Sequence, residues 1–104
     1  MSMDEYYQRW RQQADDLHFS LQDCFDDPNH QNCQELKVEM RELLNDFSQS
    51  KSPRVIEIRI AHIIDLLEPA RNGSSAFMST PHAVQYHDTF ERMRRDVHSH
   101  PHYN

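Results

Sequence analysis

Four runs of apolar residues, spaced at alternating steps of three and four, constrain this chain more than any other feature. Met3, Tyr7, Trp10, Ala14, Leu17, Leu21 and Cys24 form the first. Cys33, Leu36, Met40, Leu43 and Phe47 form the second, and Ile56, Ile60, Ile63, Leu67 and Ala70 the third. Ala83, Tyr86, Phe90, Met93 and Val97 form the fourth. That spacing places each series on one stripe of an α-helix, where side chains three and four apart are neighbours. The expected fold is therefore all-α: a small antiparallel bundle of four helices, or three long helices plus one. One domain spans residues 1–98, followed by a flexible His-rich tail, 99–104.

Composition narrows this further. The chain has 104 residues and a single glycine. Hairpin turns and bulges rely on glycine, so a sheet fold has little to turn with. Local signals agree with helices near 3–25, 29–49, 53–71 and 81–98. Ser2 with Glu5 fits a capping box. Asp27-Pro28, Ser52-Pro53 and Thr80-Pro81 each place a capping residue before a proline at the first helical position. Asn32 with Glu35 is a rival start for the second helix. Gly73 follows Arg71-Asn72, where a left-handed C-terminal cap is expected. Val55 to Ile60 alternates in a strand-like way, but it continues into Ala61–Leu67 and is read as helix. Short first and second connections favour antiparallel neighbours. The third, Asn72 to Thr80, is longer and carries Phe77 and Met78.

The formal charge is −6, and all of it lies in residues 1–52, which hold eleven acids and five bases. Phosphate binding requires Lys and Arg to displace counterions, so direct nucleic-acid binding is not expected. A protein partner with a basic surface is, because complementary fields steer association. The start shows no basic leader followed by an apolar stretch, and no run approaches the ~20 apolar residues of a membrane span. A cytoplasmic protein without a membrane partner is expected.

Enzyme signatures are missing: no Gly-rich phosphate loop, no nucleophile elbow and no His-Glu-x-x-His pair. The sequence predicts no catalytic residue and no cofactor. Cys24 and Cys33 flank the first turn on the core stripe; they are either two reduced core thiols or a short-loop disulfide. His98, His100 and His102 alternate in the tail and are weak candidates for metal chelation. A structural site wants four convergent ligands, and the tail supplies three. Asp15 with His18, and Asp27 with His30, also have helical ligand spacing. Arg92, Arg94 and Arg95 suit the negative end of the fourth helix, or contact with a phosphate or an acidic patch.

The off-stripe apolar residues point to partners. Phe19 falls on the outermost face of the first helix, Val38 on that of the second and Ile58 on that of the third. Either the bundle's own helices bury Phe19, or it is exposed among carboxylates as an interface anchor. The leading expectation is a non-enzymatic adaptor, inhibitor or regulator. Tyr6, Trp10 and Phe19 would anchor its partner, with Asp15, Asp16, Asp23, Asp26 and Asp27 supplying charge. A nucleic-acid mimic of the immunity or anti-defence type is one version. A homodimer with a seam of Phe19, Val38 and Ile58 is the alternative, and a metal-responsive protein using the tail histidines a further one.

Overall fold

The computed structural model describes residues 4–104. It contains four α-helices: α1 (Glu5–Leu21), α2 (Gln31–Ser48), α3 (Pro53–Arg71) and α4 (Thr80–His98). The bundle measures 42 × 20 × 18 Å. No strand forms among the described residues, and the strand-like run 55–60 lies inside α3. A lone strand would have had no partner for its backbone donors and acceptors, whereas helix satisfies them locally.

The helices run up and down. Tyr7 near the start of α1 packs on Phe47 at the end of α2, and its hydroxyl donates to the Lys51 carbonyl at 2.6 Å. Arg59 of α3 bonds Glu39 and Asp46 of α2, and Glu57 and Glu68 of α3 bond His98 and His87 of α4. Tyr86 of α4 closes the ring by donating to the Leu17 carbonyl of α1 at 2.9 Å. The pairing of α3 with α4 is the most extensive, and Ala70 near the end of α3 and Ala83 near the start of α4 are both buried. The four predicted stripes meet in one core that includes Trp10, Phe47, Ile60, Tyr86 and Phe90, with Leu17 and Cys24 only partly buried at its edge.

Several boundaries differ from expectation. Ser2 and Met3 lie outside the described residues; Asp4 caps α1 by accepting the Tyr6 N–H. That helix ends at Leu21, followed by one 3-10 turn, Gln22–Cys24. Phe25 is extended and forms an antiparallel bridge with Met78. The amides of Asp26 and Asp27 both donate to the Phe77 carbonyl, at 2.8 and 3.2 Å. The long third connection thus folds inward over the far end of the bundle, burying Phe25, Phe77 and Met78. Neither Asp27 nor Asn32 caps α2; His30 does, with Nδ1 accepting the Asn32 N–H at 3.0 Å. Ser52 caps α3 as predicted. Before α4 the cap position is Ser79 rather than Thr80. Gly73 has φ +76°, the left-handed value its position calls for.

Candidate functional site

The far half of α1 and the loop after it form the most distinctive surface. Phe19 is 89 % exposed, so its own bundle does not bury it. The helical period explains this: Tyr7, Trp10, Ala14 and Leu21 set the buried stripe, and Phe19 projects almost opposite to it. Asp15, Asp16 and Asp23 lie three or four residues away on either side, and all three are exposed. Asp26 and Asp27 are exposed beyond them, on backbone pinned by the Phe77 carbonyl. Asp15, Asp16 and Asp23 thus flank one apolar ring, and Asp26 and Asp27 follow on hydrogen-bonded backbone.

Two of the expected anchors do not belong to this surface. Trp10 is a core residue with 2 % exposure, packed against Tyr7 and Phe47. Its position on the apolar stripe predicts that burial, and an anchor role conflicts with it. Tyr6 is partly exposed, but it stands at the opposite end of α1 against Trp10 and His100.

The face is also not acidic on α2. The α2 residues beside α1 are Lys37 and Arg41, which share a cleft with His18, Leu21 and Gln22. The acids of α2, Glu35, Glu39, Glu42 and Asp46, recur at steps of four, three and four along another stripe. Glu39 and Asp46 bond Arg59, so that stripe faces α3.

The three residues of the expected dimer seam are all exposed, on three different helices. In a four-helix ring the outward direction differs from helix to helix, and α1 stands diagonally across from α3. Val38 and Ile58, at 52 % and 61 % exposure, lie on the adjacent helices α2 and α3. Phe19 lies on α1, which packs on α2 while α3 packs on α2 and α4, so the three residues come from three separate helix faces.

The cysteines are free. The buried Cys33 thiol donates to the Asp27 carbonyl at 3.1 Å, while Cys24 Sγ lies 3.6 Å from the Tyr86 hydroxyl. The 3-10 turn and extended Phe25 that separate them aim the two sulfurs at different partners. Burial, with the Asp27 carboxylate beside it, pushes the Cys33 thiol up to about 11.

The tail is docked rather than free. His100 is buried against Tyr6, Tyr7 and Trp10, with ring centroids 5.4, 5.5 and 6.0 Å away. Its Nδ1 accepts the His102 N–H at 3.0 Å, which leaves Nε2 to donate to Asp4 Oδ2 at 2.7 Å. Partial burial acts to raise the Asp4 carboxyl, but the bonds from His100 and the Tyr6 N–H hold it below its ordinary value. Tyr103 donates to Glu57 at 2.7 Å, and Arg54 lies over its ring at 5.2 Å. His98 Nδ1 lies 2.8 Å from the other Glu57 oxygen. His98 thus bonds Glu57 and His100 bonds Asp4, with the His102 ring 5.6 Å from that of His100, and among the described residues no group of three or more His, Cys, Asp or Glu side chains converges as a metal cage. The Asp15–His18 and Asp27–His30 pairs are used otherwise too: His30 caps α2 and stacks on Phe77 at 4.9 Å.

Two polar clusters carry little sequence signal. Arg59 bridges Glu39 at 2.9 Å and buried Asp46 at 3.1 Å. Buried His87 bonds Glu68 through Nε2 and Asp88 through Nδ1, holding both carboxyls below their ordinary range. Spacing reveals neither, because the partners lie on different helices or face inward only after packing. In the basic cluster Arg94 pairs with Glu91, while Arg92 and Arg95 are exposed near the α4 C-terminus. No helix among the described residues is long and apolar enough to cross a membrane. The chain matches no family model, no curated protein and no solved structure, so its function has to be read from its own residues.

Proposed function

We propose that this chain is a small protein-interaction module, an inhibitor, adaptor or regulator, that binds a basic protein surface through the far half of α1. The observation that carries the proposal is Phe19, 89 % exposed among exposed Asp15, Asp16 and Asp23. An exposed aromatic ring among carboxylates has the composition of an interface anchor, and aromatic anchors inside a polar rim dominate interface energetics. The carboxylates supply complementarity and faster encounter with a basic partner. A row of fixed acids also matches a groove that normally holds nucleic-acid phosphates, which favours the inhibitor form. The His30–Phe77 stack and the Phe25–Met78 bridge pre-order the loop, reducing the entropy lost on binding.

The test is capture of a partner from the native host by immobilised protein at low salt. Parent, Phe19→Ser and Asp15→Asn/Asp16→Asn proteins are compared. The parent should retain a basic protein that elutes as salt rises, Phe19→Ser should lose it, and the double variant should hold it more weakly with a flatter salt dependence. Equal capture by all three proteins refutes the proposal.

A further inference from the structure

The outer face of the α2–α3 pair carries a second surface, independent of Phe19. A groove of about 390 Å³ lies between these helices, lined by Asn32, Glu35, Glu39, His62, Asp65 and Leu66. Next to it, a smaller hollow of about 270 Å³ is lined by Gln34, Glu35, Val38 and Glu39. Glu35 and Glu39 line both, so the two are continuous and join Val38 to Leu66. Beyond the groove, Val55 and Ile58 precede its lining residues His62 and Leu66 along α3 at steps of three, four and four, which helical period places on the outer side of that helix. Val55 is 42 % and Ile58 61 % exposed, on a helix already buried on its opposite face by Ile56, Ile60, Ile63 and Leu67.

We propose that this trough docks a basic amphipathic helix of a partner protein. Its shape fits a helix: two adjacent helices leave a groove that a third fills, ridges into grooves. The eleven helical steps from Val55 to Leu66 span about 16 Å, three turns of a docked helix with apolar anchors at three- and four-residue spacing. Its charge selects the partner. The Glu39 charge is already engaged by Arg59, which also neutralises Asp46. Among the described residues Glu42 and Asp65 have no ion-pair partner, and Glu35 accepts from the neutral Gln31 amide. Lysines or arginines flanking the apolar stripe would meet these three carboxylates. The same charges disfavour a second copy, because an isologous dimer through this face sets like charges opposite one another.

The probe is a dye-labelled amphipathic peptide of leucine and lysine, about five turns long, read by fluorescence anisotropy. A peptide of the same composition with scattered leucines is the control. The parent should bind the amphipathic peptide at least tenfold more tightly than the control. Val38→Ser/Ile58→Ser should remove that difference, and Glu35→Gln/Glu42→Gln/Asp65→Asn should flatten the salt dependence. Phe19→Ser should change neither, which separates failure here from failure of the α1 proposal. All substituted side chains are exposed, and circular dichroism checks that the helices persist. Equal binding of the two peptides, or undiminished preference in Val38→Ser/Ile58→Ser, overturns the proposal. So does sedimentation showing a dimer that this double variant converts to monomer, since a second copy then occupies the trough.

Discussion

Trp10 and Phe19 are both large aromatics on α1, and nine residues of helix give them opposite fates. Trp10 lies at 2 % exposure in the core; its Nε1 is the one buried side-chain nitrogen or oxygen without a hydrogen-bond partner among the described residues. Truncating it should leave a cavity and cost about 3–5 kcal/mol. Phe19→Ala, at 89 % exposure, should change stability by no more than about 0.5 kcal/mol. Urea unfolding of the two variants checks the contrast, and a large loss in Phe19→Ala would mean that Phe19 supports the fold. Cys33 supplies a second residue-scale prediction. Burial, then the Asp27 charge, raises its thiol from 9.0 to about 11. The stability linked to keeping it protonated is fully present below pH 9.0 and fades as pH approaches 11. At pH 8 native Cys33 should react with a thiol reagent far more slowly than in urea, and rapid native labelling would contradict its burial.

The tail acts as an element that covers the open end of the bundle. His100 connects Asp4, the α1 cap, to a wall of Tyr6, Tyr7 and Trp10. Truncation after Val97 removes that buried hydrogen-bonded ring and uncovers aromatic surface, so it should cost about 2–4 kcal/mol. Trp10 emission should shift to the red as water reaches its ring. An unchanged urea midpoint and spectrum would show that the tail does not cover the core in solution. The Phe77–Met78 segment plays the equivalent part at the far end, where its backbone bonds hold Asp26 and Asp27 in place. The docking surfaces thus depend on connections as well as helices.

Across the whole molecule, charge is sorted by helix face. The acids of α1 surround Phe19, those of α2 turn toward α3, and Lys37 and Arg41 stand between the two groups. Pairing to histidines adds a common pH response. Asp4, Glu57, Glu68 and Asp88 are each held below their ordinary values, with burial opposing the histidine hydrogen bonds and, at Glu57, the stronger bond from Tyr103. Their contribution to stability is therefore present above those ordinary values, 3.8 for Asp and 4.5 for Glu, and is lost as pH falls through the lower folded values. The urea midpoint should fall between pH 5 and about 3; a flat midpoint over that window would contradict these pairings.

The amino-acid order by itself determined the four stripes, the all-α architecture, the Ser52 and Gly73 punctuation and the exposure of Val38 and Ile58. These follow from helical period and local backbone preference, which act over a few residues. It also placed Phe19 and its carboxylates on one helix face, because those residues are three to four apart. Tertiary structure alone decided the rest. Phe25 left its helix to bridge Met78, His100 entered an aromatic wall 96 residues from its partner Asp4, and the α2 acids joined α3 to form a trough. Such contacts join residues distant in sequence, and no local spacing records which face will meet which once the helices pack.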